Sequence, residues 1–303
     1  MLTGELAASG TAILWAFSSL LFTLAGQRVG AEAVNVTRLY FGFVFICLLH
    51  AFMSEPILDF RVEVWRHEVL CISAFIGLVI GDGALFYAFV LIGPRLSMLI
   101  MSTVPAMTAG FSLICFNEHL NWIEWSAVIF AIAAIGYVVG ENRVKGKSAD
   151  YDSKQFSRGV VLALVGALGQ TGNLVITKYA LADDFSTLTA TQIRILYSML
   201  FLTVWALYRR NWLETLLKLR DPTSFWLIAG GALIGPFIGI WLSYIAIEYT
   251  KIAVASVIMA TPPLLLIPIS AIFLGEKISA RSMIGTLLAF IGIAVLIAFR
   301  SES

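Results

Sequence analysis

A single carboxylate lies deep within an apolar stretch of this sequence. Asp82, in the segment IGDGALFYAF, is the only charged residue between Val69 and Ile92. An ionised side chain in hydrocarbon is unfavourable by about 3 kcal/mol or more unless it is paired, hydrated or protonated. Asp82 is therefore predicted either to bind a substrate ammonium or a proton in a polar cavity, or to pair with donors on a neighbouring helix.

Catalytic chemistry needs more than this one carboxylate. The IGDG segment invites comparison with the GxGD motif of intramembrane aspartyl proteases, but Val79 stands where that motif has its first glycine. Asp82 is the only carboxylate deep in any predicted span, so two carboxylates that share one proton cannot form. No HExxH, GxSxG or P-loop motif occurs either. We therefore expect neither an enzyme nor an ATP-driven pump.

The composition predicts an all-α integral membrane protein. Apolar residues make up 59% of the 303 residues and charged residues 13%, whereas soluble domains average roughly 45 to 50% and about 25%. The net charge of +1 and the lack of a basic run with interleaved aromatic residues argue against a nucleic-acid partner. The partners predicted are a small-molecule substrate and the lipid bilayer.

The three cysteines, Cys47, Cys71 and Cys115, all lie in apolar segments without CxxC spacing. Such placement predicts packing rather than a disulfide or a metal site, and we expect no metal and no cofactor.

Apolar segments of about 20 residues, each long enough to cross hydrocarbon about 30 Å thick, predict ten transmembrane helices. Three longer connections are predicted: 54–68, 209–224 and the basic linker in the middle of the chain. The predicted helices span 5–25, 34–53, 69–92, 97–116, 122–140, 159–180, 188–208, 225–246, 253–274 and 282–299.

The two halves of the chain resemble each other when they are overlaid. Each half holds five predicted spans, so the second half must enter the bilayer from the opposite side, which predicts two inverted five-helix repeats. The predicted domains are the first repeat at 1–141, the linker at 142–158 and the second repeat at 159–303. The residues that match are Thr103 with Thr261, Pro105 with Pro263, Glu118 with Glu276, Arg38 with Arg194, and Tyr87 with Tyr244.

In each half a proline in the fourth span is followed thirteen residues later by a glutamate, in FNEHL and LGEKI. With five spans in each half, the chain resembles the EamA branch of the drug/metabolite transporter superfamily over nearly its whole length. This resemblance implies ten helices, export or exchange of small metabolites such as amino acids, and a central cavity between the repeats. His119 departs from the pattern, because the family more often has a basic residue there, like Lys277.

Polar and aromatic residues that recur on one helical face predict a substrate-binding cavity. The alternative is that small and amide residues pack helices together in lipid, and that aromatic residues anchor span ends at the interface. The residues predicted to bind substrate are Trp15, Ser18, Asp82, Tyr87, Met101, Gln170, Asn173, Trp241 and Tyr244.

Six further residues are predicted to have structural roles. The long side chains of Arg38 and Arg194 are expected to snorkel to the membrane interface and brace the fold. Pro105 and Pro263 predict a hinge or a static kink. The remaining two, Glu118 and Glu276, are expected to cap the next helix or pair with a nearby base.

The overlay places Gly239 opposite Asp82, so whatever Asp82 does is asymmetric. At 100° per residue, Asp82 shares its helical face with Leu78, Phe86 and Phe89, while Tyr87 lies about 140° away. Both can reach one substrate only in a wide cavity or on an irregular helix.

Together these observations predict a secondary active transporter of a small polar metabolite, with alternating access as the mechanism. Export is the expected direction, and amino acids are the leading substrate class. Nucleosides, sugar phosphates and organic cations are alternative substrates, and a membrane enzyme or a channel is the less favoured alternative. We expect a multi-pass protein of the cell (inner) membrane, as a monomer or homodimer. The positive-inside rule puts the linker in the cytoplasm, whereas the family resemblance puts the termini there, so orientation stays open.

Overall fold

The computed structural model consists of helices joined by short turns. It describes residues 2–53, 62–116, 153–183, 185–250, 258–273 and 279–298, with isolated positions between them. The α-helices in these ranges are α1 Leu2–Val29, α2 Ala31–Phe52, α3 Val64–Ala74, α4 Asp82–Met101, α5 Val104–Phe116, α6 Ser153–Ala180, α7 Thr187–Tyr208, α8 Trp212–Leu217, α9 Pro222–Ala232, α10 Ile240–Tyr249, α11 Pro262–Phe273 and α12 Ala280–Ala298.

Six helical runs within the described residues are long and apolar enough to cross a membrane. Two of them, Val64–Met101 and Pro222–Tyr249, each join two α-helices through a π-helical segment. The protein is therefore a multi-pass, all-α membrane protein. The ten-helix count and the inverted arrangement of the repeats stay predictions, because parts of the predicted fifth, ninth and tenth spans lie outside the described residues.

Several helices extend beyond the spans predicted for them. The helix of the third span begins at Val64 rather than at 69, and α6 begins at Ser153, so that residues 153–158 of the predicted linker are helical. The predicted loop 209–224 contains α8 and a 3₁₀ turn at Lys218–Arg220. Charged residues set the predicted ends, but a helix continues beyond the hydrocarbon wherever its backbone stays hydrogen-bonded.

The predicted fourth span is broken rather than continuous. A turn at Ser102 and Thr103, inside the predicted range 97–116, separates α4 from α5. Gly93, with φ of 79°, interrupts α4 between the predicted third and fourth spans. The second half has a matching turn at Ala260 and Thr261 before α11.

The two prolines predicted as hinges or kinks lie just after these breaks. Pro105 and Pro263 are each the second residue of a helix. A proline is tolerated there because the first N–H groups of a helix have no partner within that helix.

The same local structure recurs 158 residues apart. Both α3 and α9 have 11 residues, and each continues into a π-helical segment of 7 residues, Phe75–Gly81 and Leu233–Gly239. This spacing aligns Asp82 with Ile240 and Phe86 with Tyr244. The sequence overlay, which paired Asp82 with Gly239 and Tyr87 with Tyr244, was therefore out of register by one residue.

The halves interlock through their first helices. Helix α6 packs along α3, its π-helical segment and α4, whereas α1 packs along α9, its π-helical segment and α10. Close approach depends on glycine, because a Cβ added to Gly169 would lie 2.6 Å from the Cα of Gly81. This exchange of partners encloses a space between α1, α6 and the two irregular helices.

Candidate substrate cavity

A cavity lies between the halves, with about 650 Å³ of empty space including its open mouth. Seven of the nine residues predicted to bind substrate line it: Trp15, Ser18, Asp82, Met101, Gln170, Asn173 and Tyr244. Helices from both halves of the sequence therefore supply its wall.

Asp82 is paired with a basic residue of α2. Its Oδ2 accepts a hydrogen bond of 2.7 Å from Arg38 Nη2, and the Asp82 side chain is 20% exposed. The amide oxygen of Asn35 accepts two further bonds from Arg38, from Nε at 3.1 Å and from Nη2 at 2.8 Å. The carboxylate thus has a buried cation on one side and the open cavity on another.

Arg38 was expected to extend its long side chain to the membrane interface, but it does not. The residue is 2% exposed, and its guanidinium carbon lies 4.7 Å from the ring centroid of Phe86. Pairing with Asp82 and stacking on an aromatic face stabilise a charge that would otherwise be unfavourable in the interior. The arginine belongs to the cavity wall.

Arg194 is also buried, at 0% exposure, and not at the interface as expected. Its Nη2 donates to the Ser73 carbonyl oxygen at 3.2 Å, and its guanidinium carbon lies 5.3 Å from the ring centroid of Tyr244. Among the described residues, its Nε and Nη1 have no hydrogen-bond partner, and neither does the Tyr244 hydroxyl.

A polar network joins α6 to α3 beside the cavity. The Oδ1 of Asn173 accepts bonds from the hydroxyls of Ser73 at 3.2 Å and Thr177 at 3.1 Å, while its Nδ2 donates to Gln170 Oε1 at 3.1 Å. Asn173 is thereby held in one orientation. Gln170, which is only partly buried, presents the amide that faces the cavity.

Most of the remaining cavity wall is apolar and aromatic. Phe86 packs edge-on against Phe22 at 5.1 Å and against Phe89 at 5.6 Å between ring centroids. An apolar wall beside a few polar groups is the usual character of a pocket for small molecules. Sequence reasoning missed these lining residues as binding residues: Ser19, Phe22, Leu85, Phe86, Phe89, Met98, Gly235, Pro236, Ile240 and Ser243.

Part of this omission could have been avoided. Leu78, Phe86 and Phe89 were correctly predicted to share a helical face with Asp82, so the face that carries the carboxylate already indicated the wall. Ile240 was missed because the overlay matched Tyr87 with Tyr244 and so placed Gly239 opposite Asp82, one residue short of the offset between Pro105 and Pro263.

Two predicted binding residues do not line this cavity. Tyr87 faces a separate surface groove with Glu32 and is 41% exposed. Trp241 stacks on Phe237 at 6.5 Å between ring centroids. Both lie about a third of a turn or more from the cavity-facing side of their helices.

The other predicted residues lie at the breaks or outside the described residues. Met101 lines both the central cavity and a smaller adjoining one at the two helix breaks, which is also lined by Ser102 and Ala260. Glu118 and Glu276 fall outside the residues that the structure describes. Within the part of the chain that is described, no group of three His, Cys, Asp or Glu residues could hold a metal ion.

Comparison with known proteins points to transport. The family model described as "EamA-like transporter family" matches residues 2–140 and 157–298. An uncharacterized transporter of Archaeoglobus fulgidus is 23% identical over 291 residues, which cover 94% of this chain and 95% of the relative. A solved crystal structure has the same fold, with a TM-score of 0.67 and 13% identity over 99% of this chain and 98% of its own.

Proposed function

Because this chain belongs to the EamA-like transporter family, we propose that it is a secondary active transporter that exports a small polar metabolite by alternating access. Amino acids are the leading substrate class. The central cavity between the two halves is the binding site in this proposal, and movement of one half against the other exposes it to each side of the membrane in turn.

The observation that carries the proposal is the composition of the cavity wall. The ion pair of Arg38 and Asp82 reaches a space that is otherwise lined by uncharged hydrogen-bonding groups and apolar side chains. A zwitterion needs groups for both of its charges, and an apolar side chain needs an apolar wall. Ser18, Gln170 and the aromatic residues satisfy these needs without binding so strongly that release is prevented.

The interrupted helices support the alternating-access part of the proposal. Turns at Ser102 and Ala260 interrupt the helices of two spans and border the same small cavity. Irregular backbone at membrane depth is tolerated when it lies in protein or lines a cavity, and it marks the binding region of many transporters.

We assign the protein to the cell (inner) membrane.

A transport assay tests the proposal directly. Purified protein in liposomes loaded with one radiolabelled amino acid should catalyse its exchange for external substrate, and a screen over amino acids, nucleosides, sugar phosphates and organic cations identifies the class. Asp82→Asn should change the substrate affinity or the pH dependence of transport, because it removes the one carboxylate of the described cavity wall. Unaltered kinetics from pH 5 to 8 would remove Asp82 from the mechanism, and exchange of none of the amino acids would refute the leading class.

A further inference from the structure

The guanidinium of Arg194 is buried with most of its hydrogen-bonding capacity unused. Within the described residues it donates one bond, from Nη2 to Ser73, and its Nε and Nη1 have no partner. A buried donor without a partner costs about 1 to 3 kcal/mol, and more when it is charged. The nearby Tyr244 hydroxyl is likewise buried and without a partner in these ranges. Such a cluster needs an acceptor that these residues do not supply.

Comparison of the two halves identifies what kind of acceptor fits. Arg38 and Arg194 occupy matching positions of α2 and α7, and each guanidinium lies over a ring at matching positions, Phe86 and Tyr244. The environments of the two arginines thus correspond in the aromatic face on which each one stacks.

They differ in their acceptors. Arg38 is neutralised by Asp82, whose match in the second half is Ile240, and is braced by Asn35, whose match is Thr191. Both acceptors are therefore lost beside Arg194, and the position that corresponds to the Asp82 carboxylate adjoins the cavity, because Ile240 lines it.

The charges around the cavity lead to the same conclusion. Arg38 and Asp82 are the two charged residues of the described cavity wall, and Arg194 is a further positive charge buried behind Tyr244 of that wall. One further carboxylate would balance the set. A low-dielectric interior strongly favours such neutralisation, since an unpaired charge there is poorly solvated.

Arg194 can be approached from the cavity. Its Nη2 and the Asn173 side chain both lie against Gly77 of the π-helical segment Phe75–Gly81. A Cβ added to Gly77 would be 3.0 Å from Arg194 Nη2 and 2.8 Å from Asn173 Cβ. Asn173 and Tyr244 both line the cavity. The Tyr244 ring borders the cavity and has the Arg194 guanidinium over its face, so a ligand that reaches Arg194 must pass beside this ring.

We propose, building on the transport function proposed above, that the substrate carries a carboxylate on an apolar body and that this carboxylate binds between Arg194 and the Tyr244 hydroxyl. The substrate takes the place beside Arg194 that Asp82 takes beside Arg38. Its apolar body lies against the aromatic wall around Phe22 and Phe86, and a substrate ammonium, where there is one, faces Asp82. The site is therefore specific for monocarboxylates, and amino acids with apolar side chains are one such class.

The test uses a series of ligands that differ in a single group. Binding of L-phenylalanine, its amide, 3-phenylpropionate and phenethylamine to the purified full-length protein is measured by titration calorimetry. The two carboxylates should bind at least about tenfold more tightly than the amide and the amine. Binding of phenylalanine and its amide with equal affinity, or binding of no member of the series, would overturn the proposal.

Two variants locate the carboxylate. Arg194→Gln should weaken binding of the carboxylates about tenfold or more and leave the affinity for the amide within about twofold of its original value. Tyr244→Phe keeps the ring and removes only the hydroxyl, so it should weaken the carboxylates about threefold to tenfold even if Arg194→Gln does not fold. The exposed residues Arg220 and Tyr208 provide matched controls, and Arg220→Gln and Tyr208→Phe should change nothing.

The outcomes separate this inference from the transport proposal. If 3-phenylpropionate binds and phenylalanine does not, the carboxylate site stands and amino acids are excluded as the class. If amino acids are transported but their amides bind equally well, the transport function stands and the carboxylate site fails. If Tyr244→Phe leaves the ratio of carboxylate to amide affinity unchanged, the carboxylate does not contact Tyr244 and the proposed site is wrong.

Discussion

Arg38 Nη2 donates a hydrogen bond of 2.7 Å to Asp82 Oδ2, joining two residues that are 44 positions apart in the sequence. This contact explains how a carboxylate can remain within an apolar span. It also places a charged pair at the wall of a cavity that both halves of the chain build. The neighbouring arginine at the equivalent position of the second half has no such partner among the described residues.

The first prediction concerns this ion pair. Asp82→Asn leaves the Arg38 guanidinium buried without its counter-ion and should destabilise the protein by about 3 to 5 kcal/mol. Arg38→Gln should be similarly unfavourable, whereas the double variant should be more stable than the sum of the single effects indicates, because both charges are then absent. Unfolding of all four proteins in the same detergent measures the coupling. Strictly additive effects would mean that the two charges do not interact.

The second prediction concerns the glycine contact between α6 and the π-helical segment Phe75–Gly81. Gly169→Ala places a Cβ 2.6 Å from the Gly81 Cα, so the helices must separate, at a cost of about 1 to 3 kcal/mol. Gly110→Ala is the control, because nothing lies within 4 Å of its added Cβ and alanine favours helix. The thermal midpoint should fall for the first variant and stay or rise for the second. Equal midpoints would show that the close approach is not required.

A third prediction uses pH. The Asp221 carboxylate accepts bonds from the backbone N–H of Ser224 at 3.0 Å and from its hydroxyl at 2.5 Å. The hydroxyl bond, followed by the backbone bond, lowers the pKa of Asp221 below its ordinary value of 3.8. Stability from this cap is therefore fully present above about pH 4 and is lost as pH falls through the lower pKa of the folded state.

Asp221→Asn tests this dependence, because asparagine can cap a helix but does not titrate. The advantage of the original protein over the variant, measured as the difference in thermal midpoint, should be constant from pH 7 to 5 and shrink below about pH 4. Glu214→Gln, at a residue whose carboxylate is 68% exposed, is the control. A difference that does not change between pH 7 and 3 would contradict the assignment.

The fourth prediction concerns the junction between α3 and α6. Arg66 is 4% exposed, and its Nη1 donates to the carbonyl oxygens of Ala180 at 2.7 Å and Ala182 at 2.8 Å. Arg66→Gln should destabilise the protein by on the order of 3 kcal/mol, because these carbonyls lose a charged donor. Hydrogen exchange of the turn at 181–183 should accelerate more than exchange in α7. Arg66→Lys should rescue little, since an ammonium cannot reproduce the planar fork.

A fifth prediction separates the cavity from the surface groove. Tyr87→Phe should leave ligand affinity unchanged within about twofold, because its side chain faces the groove that contains Glu32. Phe86, one residue earlier and about 100° around the helix, lines the cavity. Phe86→Ala should therefore weaken binding of any ligand with an apolar body by about tenfold. The same titration measures both. Weakened binding in Tyr87→Phe would indicate that the groove, and not the central cavity, holds the substrate.

Much of the site could be predicted from single helices. Helical periodicity correctly grouped Leu78, Asp82 and Phe86 on one face, and the polar stripe that contains Gln170 and Asn173 does line the cavity. Periodicity describes directions around one axis, so it identified which residues share a face. It could not decide whether the helical face that carries Tyr87 or Trp241 borders the cavity, and both residues lie away from it.

The register error in the repeat came from one match of residue type. Pro105 with Pro263 and Glu118 with Glu276 are each 158 positions apart, and this offset already pairs Asp82 with Ile240. The match of Tyr87 with Tyr244 used an offset of 157, whereas the two π-helical segments of equal length lie 158 positions apart. The asymmetry at the cavity is a carboxylate opposite an isoleucine, not opposite a glycine.

The amino-acid sequence by itself determined the membrane class, the helical fold, the resemblance of the halves and the residues of each helical face, because these properties follow from hydropathy and local periodicity. Only the tertiary structure decided that Arg38 pairs with Asp82 and that Arg194 remains without a carboxylate in the described part of the chain. Those facts depend on distances between residues far apart in the sequence. Helix packing sets such distances, and no local pattern encodes them.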